Sequence, residues 1–278
     1  MSLCYDLHSH SIYSDGELTP TALVHAAIEA GIQVFSLTDH DTLNGYPEAL
    51  AAAKESSLIL IPGVEISCRW RHSDIHVIGL RVDPANTLLQ AGLERQQQQR
   101  IERGRLIGKN LENIGIPHAH VGACSIAGSE IVGRPHFAKF MVQQKIVPDI
   151  QTAFKKYLVK GKPGYAPMAW CDMTEAVQWI HAAGGQAVMA HPARYKLTSK
   201  RLRLLLQNFK SAGGVAMEIV TANHTPDDVQ RMALLSQQCE LLASVGSDFH
   251  GPTMGRARLG FLSPLPSTCI PIWHDWKL

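Results

Sequence analysis

The chain has 278 residues, of which 45% are hydrophobic and 18% charged, so it can bury one large core or two modest ones and is not a disordered chain. Lys and Arg number 26 against 24 Asp and Glu, and this net charge of +2 argues neither for nor against a nucleic-acid partner. No apolar run approaches the roughly 18 residues of a membrane span, and no basic segment with an apolar signal core opens the sequence, so we expect a cytoplasmic protein without membrane contact.

Short apolar runs rich in β-branched residues alternate with helical patterns along most of the chain. This alternation predicts βα units around a parallel sheet, which is an α/β fold. The helices have capping residues at three of their starts, Thr19, Asp172 and Thr225, and Pro20 and Pro226 stand in first-turn positions. The predicted strands cover residues 34–37, 58–61, 75–80, 187–190, 216–220 and 241–245.

Residues 84–168 interrupt this alternation, because they contain helical patterns and Gly/Pro turns but no strand pattern of useful length. We therefore predict a barrel-like domain formed by residues 1–83 and 169–278 and a mostly helical insertion formed by 84–168. The insertion has 12 Lys and Arg against 5 Asp and Glu, and the remainder has 14 against 19. A basic insertion beside an acidic barrel favours a phosphate-rich substrate. The helical patterns of the insertion cover residues 88–113, 135–145 and 149–160.

Histidine and carboxylate side chains recur where the predicted strands end or, in one case, begin. The carboxyl ends of the strands of a parallel barrel converge on one face, so these residues should form a single site. Each of them alone would more often be structural, but so many donors at equivalent positions favour metal binding. The candidate ligands are His8, His10, His40, Glu65, His76, His191, Asp248 and His250, with Asp15 in a Ser-Asp-Gly turn as a further oxygen donor.

Imidazole and carboxylate donors without thiolate suit Zn²⁺, Mn²⁺ or Fe²⁺. His8 and His10 point the same way from an extended segment and can chelate one ion, and Asp248 and His250 have the same spacing. The donors are too many for one tetrahedral ion, so more than one metal is expected. The six cysteines include no Cys-x-x-Cys pair, which predicts free thiols in a reducing compartment.

Five segments, beginning with Asp6-Leu-His8-Ser-His10, resemble the motifs of the polymerase and histidinol phosphatase (PHP) superfamily. They occur in that family's order and extend over nearly the whole chain: residues 6–16, 37–42, 61–67, 190–192 and 246–250. Further segments are similar to the RNase AM subfamily, whose members are 3',5'-nucleoside bisphosphate phosphatases that also act as 5'-to-3' exoribonucleases. These segments are residues 133–138, 156–158, 161–165 and 191–195.

The resemblance implies a distorted (β/α)7 barrel with a helical insertion and a site for two to three divalent metal ions. By position, the first group of ligands is His8, His10, Glu65 and Asp248, the second is Glu65, His76 and His191, and the third is Asp15, His40 and His250. Asp15 stands where some superfamily members have histidine, which gives the third group more oxygen donors.

The expected catalytic residues are Glu65, Asp248 and His191. Glu65 can bridge two ions, so that a metal-bridging hydroxide attacks phosphorus in line and no side chain becomes phosphorylated. Asp39 and Asp41 flank His40 and are expected either to orient ligating imidazoles or to accept other hydrogen bonds at the top of the barrel.

Arg134 and His136 are expected to bind a substrate phosphate, because the Gly-Arg-Pro turn can present a guanidinium in bidentate fashion. The alternative is an ordinary helix N-terminus with Pro135 in its first turn. Arg194 follows the ligand His191 by three residues and is also expected to bind phosphate.

The leading hypothesis is a phosphoesterase that removes the 3'-phosphate of 3',5'-bisphosphorylated nucleosides such as pAp and trims short 5'-phosphorylated RNA from its 5' end. Its partner would be a nucleotide or short RNA, and no obligatory protein partner is evident.

One alternative function is that of another PHP phosphatase, of the histidinol-phosphate type. A metal-dependent amidohydrolase also begins with His-x-His, but commonly has a carbamylated lysine where Glu65 stands. A non-catalytic nucleic-acid or metal-sensing module would be expected to lack some of these ligands.

Overall fold

The computed structural model describes residues 3–254 and 257–278. The chain divides into two compact units, one formed by Met1–Leu93 and Cys171–Leu278 and the other by Glu94–Trp170. The first unit contains the sheet. The second is helical, and its sequence has 12 Lys and Arg against 5 Asp and Glu. Among the described residues, no helix has the length and apolar character needed to span a bilayer.

The secondary structure alternates between strands and helices, as the sequence pattern predicts. The strands are β1 (Tyr5–Asp6), β2 (Val34–Leu37), β3 (Ile59–Trp70), β4 (Ser73–Leu80), β5 (Cys171–Asp172), β6 (Gln186–Met189), β7 (Ala216–Thr221) and β8 (Leu242–Gly246). The helices are α1 (Pro20–Glu29), α2 (Tyr46–Ala53), α3 (Thr87–Glu112), α4 (Ala119–Ala127), α5 (Arg134–Gln143), α6 (Ile150–Ala153), α7 (Met173–Ala182), α8 (Ser199–Ser211) and α9 (Pro226–Gln238). A π-helical turn (Phe154–Leu158) and a 3-10 turn (Pro192–Arg194) complete them.

The sheet is a nearly closed, seven-stranded barrel. Its strand order is β1-β2-β3-β4-β6-β7-β8, and β5 pairs with β3 outside this order. The strands at the two ends of the order are joined by main-chain hydrogen bonds, in which Leu7 N donates to Val245 O (3.1 Å) and Asp248 N donates to His8 O (2.9 Å). This arrangement confirms the predicted α/β barrel. A buried apolar cluster connects the strands and includes Leu7, Val34, Ile61, Ile78, Val188 and Ala216.

One strand departs from the predicted parallel sheet, since β4 is antiparallel to both β3 and β6. The prediction of an entirely parallel sheet was therefore wrong here. Only Arg71 and His72 separate β3 from β4, and two residues can close an antiparallel hairpin but not the crossover that parallel strands require. As a consequence, the first half of β4, with His76, lies at the edge of the sheet where the parallel strands have their carboxyl ends.

Three helices begin where the sequence predicts, after Thr19, Asp172 and Thr225. In each case, the capping side chain accepts a hydrogen bond from a backbone N–H of the first helical turn. Helix α4 was not predicted. The residue before it, His118, has a left-handed φ of 59° and a side chain that makes no capping hydrogen bond, so the usual start signal is absent.

The second unit has its own apolar core. Phe137, Phe140 and Met141 of α5 are buried together with Leu111 of α3, and α4 packs against α5 at Gly122. A Cβ at that glycine would lie 2.1 Å from Phe140 Cδ2, so only glycine allows this close approach. No strand forms in residues 94–170.

Candidate metal centre

Main-chain hydrogen bonds beyond the ends of β1 and β8 bring the first candidate ligands side by side. His10 N donates to Phe249 O (2.9 Å), and Asp248 N donates to His8 O (2.9 Å). The His8–His10 segment therefore runs beside the segment that contains Asp248 and His250. Four of the predicted ligands, from opposite ends of the chain, meet here.

The same kind of pairing places His40 beside Glu65. Asp41 N donates to Glu65 O (2.9 Å), and Glu65 N donates to Asp39 O (3.2 Å), which extends the parallel pairing of β2 and β3. His40 is thus held next to the carboxylate that the sequence predicts as the bridge, with its Nδ1 3.0 Å from Glu65 Oε2.

The antiparallel strand β4 supplies His76 to the same carboxylate. His76 lies opposite Ser67, two residues from Glu65 along β3, so both side chains are on one face of the sheet. His76 Nδ1 is 2.9 Å from Glu65 Oε1. Ala190 N donates to His76 O (3.1 Å), and the next residue, His191, places its Nε2 3.0 Å from Glu65 Oε1.

Around the imidazole nitrogens of His8 and His10, the donor atoms of the predicted first group have separations close to those around a tetrahedral ion. His8 Nε2 and His10 Nε2 are 3.1 Å apart, and each is 3.3 Å from Glu65 Oε2. Asp248 Oδ1 is 3.5 Å from His8 Nε2 and 3.4 Å from His10 Nε2. Ligands bonded at about 2.0 to 2.1 Å to a tetrahedral ion lie about 3.3 to 3.4 Å from one another. The residues therefore fit a divalent metal.

Buried polar atoms without hydrogen-bond partners support the same interpretation. Glu65 Oε2, Asp15 Oδ1 and His40 Nδ1 are buried and make no hydrogen bond, an arrangement that a bound cation would satisfy. In the third group, Asp15 Oδ1 is 3.3 Å from His250 Nε2 and 3.9 Å from His40 Nε2. His40 presents one nitrogen to Glu65 and the other to Asp15, whereas the sequence placed it only in the third group.

The electrostatics of the centre leave its carboxylates ionised. Burial would raise the pKa of Glu65, yet the surrounding imidazoles, His40 and His8 foremost, hold it well below its usual range. Burial likewise opposes ionisation of Asp248, and His8 is the leading cause that keeps its pKa well below the usual value. Burial lowers the pKa of His40 to about 4, so its neutral ring is available as a ligand. For His10, burial is outweighed by the adjacent carboxylates of Asp248 and Glu65, which raise the pKa to about 10.

The aspartates that flank His40 accept backbone and hydroxyl hydrogen bonds. Asp39 accepts from Ser11 N (2.7 Å), Ser11 Oγ (2.6 Å) and Ser14 Oγ (2.7 Å). It thereby holds the loop that carries Asp15. Asp41 Oδ1 accepts from Ser67 N (2.8 Å). Of the two expected roles, these contacts correspond to hydrogen-bond acceptance at the top of the barrel.

The predicted phosphate-binding residues lie in different units. Arg194 Nη1 in the barrel unit donates to Asp248 Oδ2, and the arginine side chain is half exposed. Arg134 is in the helical unit, where its guanidinium lies 5.8 Å from the centre of the Phe154 ring. His136 is buried, and its Nδ1 accepts from Gly133 N (3.0 Å) at the start of α5. Phosphate binding by these residues stays a prediction.

Two residues near the ligands were missed in the sequence. Glu218 on β7 is fully buried and contacts both His8 and His191. The Tyr195 hydroxyl donates to Ala190 O (2.9 Å) and accepts from His76 N (2.9 Å). A single carboxylate inside the otherwise apolar strand 216–220 was a signal that could have identified Glu218.

Gly246, at the end of β8, has no room for a side chain. A Cβ there would lie 2.2 Å from His8 Cβ and 2.7 Å from Glu218 Oε1. We expect Gly246→Ala to displace His8, to lower the free energy of unfolding by about 1 to 3 kcal/mol and to reduce metal content. Urea denaturation and inductively coupled plasma mass spectrometry measure both effects. In the control Gly133→Ala, the Cβ would meet only Pro135 Cδ, at 3.3 Å. A Gly246→Ala protein as stable and as metal-loaded as the control would contradict the expectation.

Comparisons with known proteins agree with this geometry. The model of the PHP domain matches residues 6–222. A 3',5'-nucleoside bisphosphate phosphatase of Chromobacterium violaceum is 41% identical over 271 residues, which are 97% of this chain and 95% of that protein. A 5'-3' exoribonuclease of Haemophilus influenzae is 44% identical over 276 residues, which are 99% of this chain and 100% of the relative.

Solved structures share the whole fold. An amidohydrolase from Chromobacterium violaceum, determined with bound sulfate and no metal, superposes with a TM-score of 0.93 at 40% identity and covers 98% of this chain and 95% of that chain. A structure from Bifidobacterium adolescentis, described as that of a metal-dependent phosphoesterase, has a TM-score of 0.81 at 25% identity and covers 98% and 94%. From the family match and these full-length relatives, the chain belongs to the PHP domain family.

Proposed function

We propose that this chain is a metal-dependent phosphoesterase that removes the 3'-phosphate of 3',5'-bisphosphorylated nucleosides such as pAp and releases nucleotides, 5' to 3', from short 5'-phosphorylated RNA. The observation that carries the proposal is the set of donor atoms in which Glu65 Oε2 and Asp248 Oδ1 each lie 3.3 to 3.5 Å from both His8 Nε2 and His10 Nε2. It occurs in a chain whose full-length relatives are named as a phosphatase of such nucleotides and as an exoribonuclease.

We propose that the three ligand groups hold two to three divalent ions, with Mn²⁺, Zn²⁺ or Fe²⁺ as candidates. The residues are those expected from the sequence: His8, His10, Asp15, His40, Glu65, His76, His191, Asp248 and His250. Bound ions would neutralise phosphoryl oxygens and lower the pKa of a coordinated water toward neutrality. Glu65 is suited to bridge, since Oε1 faces His76 and His191 while Oε2 faces His8, His10 and His40.

Side-chain exposure indicates the face from which a phosphate would approach. The side chains of His8, His10 and Glu65 are fully buried, whereas those of His250 and His76 are 19% and 28% exposed. A reacting phosphate would therefore reach the centre from the side of these two histidines. Arg194 stands at Asp248 with a half-exposed guanidinium, and we assign it to orient that phosphate.

We further propose that the segment 84–168 is a substrate-binding insertion in which Arg134 and His136 bind the 5'-phosphate. The basic composition of this segment supports the assignment. In both pAp and 5'-phosphorylated RNA, one nucleoside separates the 5'-phosphate from the first 3' phosphoester. A pocket that binds the 5'-phosphate would hence meet the same arrangement of groups in both substrates.

The test compares metal-loaded enzyme on pAp, 5'-phosphorylated RNA and 5'-hydroxyl RNA of the same sequence, with release of phosphate and mononucleotide as readouts. We expect the 5'-hydroxyl RNA to react at least about tenfold more slowly, since it lacks a charged hydrogen-bonding group. Equal rates on both RNAs would refute the 5'-phosphate pocket. A kcat/KM on histidinol phosphate or on an amide substrate that exceeds the values for pAp and RNA would contradict the proposed activity.

Arg134→Ala should raise KM for pAp about tenfold or more and leave KM for p-nitrophenyl phosphate unchanged, because only pAp has a 5'-phosphate to lose. Steady-state kinetics on both substrates measure this. The matched control is Arg105→Ala, which removes an arginine of the same unit that pairs on the surface with Glu130 (3.3 Å). Equal KM changes for the two substrates, or the same change in the control, would remove Arg134 from the pocket.

The amidohydrolase alternative has less support from the residues. The bridging position holds Glu65, and the candidate donor groups consist of His, Asp and Glu side chains. All six cysteines are free thiols, which suits a reducing compartment, and we propose the cytoplasm as the location.

A further inference from the structure

We infer that Glu218 is the positioning residue of the first two ligand groups: it sets the tautomer of His8 and the backbone of His191, and it leaves the third group to other contacts. This inference rests on the metal binding proposed above. Glu218 belongs to none of the ligand groups and would touch neither metal nor substrate, so its effect would pass through these two histidines.

A single buried carboxylate connects the two histidines. Glu218 Oε1 is 2.9 Å from His8 Nδ1, and Glu218 Oε2 accepts from His191 N at 2.6 Å. The Glu218 side chain is fully buried, so water does not compete for these bonds. Each oxygen therefore supports a ligand of a different group, His8 in the first and His191 in the second.

The contact with His8 determines which ring nitrogen can bind metal. A carboxylate oxygen accepts hydrogen bonds, so the 2.9 Å contact with Glu218 Oε1 assigns a ring proton to Nδ1 of His8. The other nitrogen, Nε2, is the atom that faces Glu65 and Asp248. With a metal bound at Nε2, Glu218 would thus hold His8 in the tautomer whose lone pair points into the first group.

The contact with His191 stabilises an unfavourable backbone conformation. His191 has a φ of 29°, in the left-handed region that non-glycine residues rarely adopt. The hydrogen bond from His191 N to Glu218 holds this turn, and the turn directs His191 Nε2 to Glu65 Oε1 at 3.0 Å. Without the carboxylate, the backbone could relax and withdraw the ring from the second group.

The third group has different support. Asp39 holds the loop of Ser11 and Ser14 that carries Asp15, and His250 Nδ1 is hydrogen-bonded to Asp248 O (2.9 Å). Glu218 and Asp39 are both buried carboxylates, with 0% and 2% exposure. Glu218 contacts ligands of the first and second groups, whereas Asp39 holds the loop of the third group, in which Ser14 Oγ also lies 3.5 Å from His10 Nδ1. Their amide variants therefore form a matched pair.

The experiment measures metal affinity of the full chain for Glu218→Gln, Asp39→Asn and wild type, by chelator competition with Zn²⁺ and Mn²⁺ and by metal analysis after dialysis. Gln replaces two acceptors with one acceptor and one donor. Either His8 must change tautomer or His191 N must lose its partner. We expect Glu218→Gln to weaken the first two groups about 10- to 100-fold while the third keeps its affinity, and Asp39→Asn to weaken the third group most and to leave the second unchanged. Wild-type affinity throughout, or equal weakening of all groups by Glu218→Gln, would overturn the inference.

A second measurement needs no variant at position 218. In metal-loaded, 15N-labelled wild type, one-bond N–H couplings of the histidine rings report which nitrogen carries the proton, with His8 assigned by loss of its signals in His8→Asn. We expect a proton on His8 Nδ1, and an unprotonated Nδ1 would overturn the inference. Metal affinity and proton position are independent of hydrolysis, so failure of the proposed substrate would be recognised separately.

Discussion

Glu65→Gln should lower kcat/KM for pAp by on the order of 10³-fold and reduce the bound metal to less than that of wild type. Both oxygens of Glu65 face imidazole nitrogens of the centre, at 2.9 to 3.3 Å. The amide has nearly the same shape but no charge and only one acceptor oxygen, so it cannot bridge two cations. Phosphate release and metal analysis of the purified variant provide the two readouts.

The matched control is Glu240→Gln, which removes the charge of an exposed glutamate that pairs with Lys210. This control should retain wild-type kinetics and metal content, because it is a surface ion pair worth at most about 1 kcal/mol. Full activity in Glu65→Gln would exclude the bridging role. A phosphorylated side chain trapped during turnover would exclude direct attack by water on the phosphate.

Removal of metal should abolish hydrolysis of both pAp and RNA and should also lower thermal stability. Ligand binding to the native state stabilises it by about 4 kcal/mol when free metal exceeds Kd about 1,000-fold. For a chain of this size, such a loss corresponds to a decrease in Tm of about 10 °C. The measurements are residual metal by mass spectrometry, phosphate release, and thermal unfolding before and after chelation.

Re-addition of Mn²⁺, Zn²⁺ and Fe²⁺, one at a time under anaerobic conditions for iron, should restore activity with at least one ion. Mg²⁺ serves as the control, because it prefers all-oxygen ligands and suits this imidazole-rich set poorly. Hydrolysis at the wild-type rate by protein shown to contain no metal would contradict the proposed chemistry. An unchanged Tm after chelation would contradict the coupling of metal binding to stability.

Much of the fold could be predicted because its signals are local. The strands near Val34 and Ala216 could be predicted from short runs of apolar residues, and the helix starts at Thr19 and Thr225 from capping side chains. The direction of β4 was not predicted, since strand direction depends on the connection, and the two-residue link of Arg71 and His72 has no strong turn signature. Helix α4 was not predicted either, because no capping side chain marks its first turn.

The sequence alone determined which residues could form a metal centre. Side chains such as His8 and Asp248 follow strands of one barrel, and topology brings the ends of such strands to one face. Glu65 was expected to follow a strand that ends before it, but it lies within the longer strand β3. Spacing along the chain cannot reveal contacts between residues far apart in sequence. Only the tertiary structure placed Glu218 against both His8 and His191. β7 pairs with β6, which precedes His191, and closure of the barrel between β8 and β1 brings His8 within reach of β7.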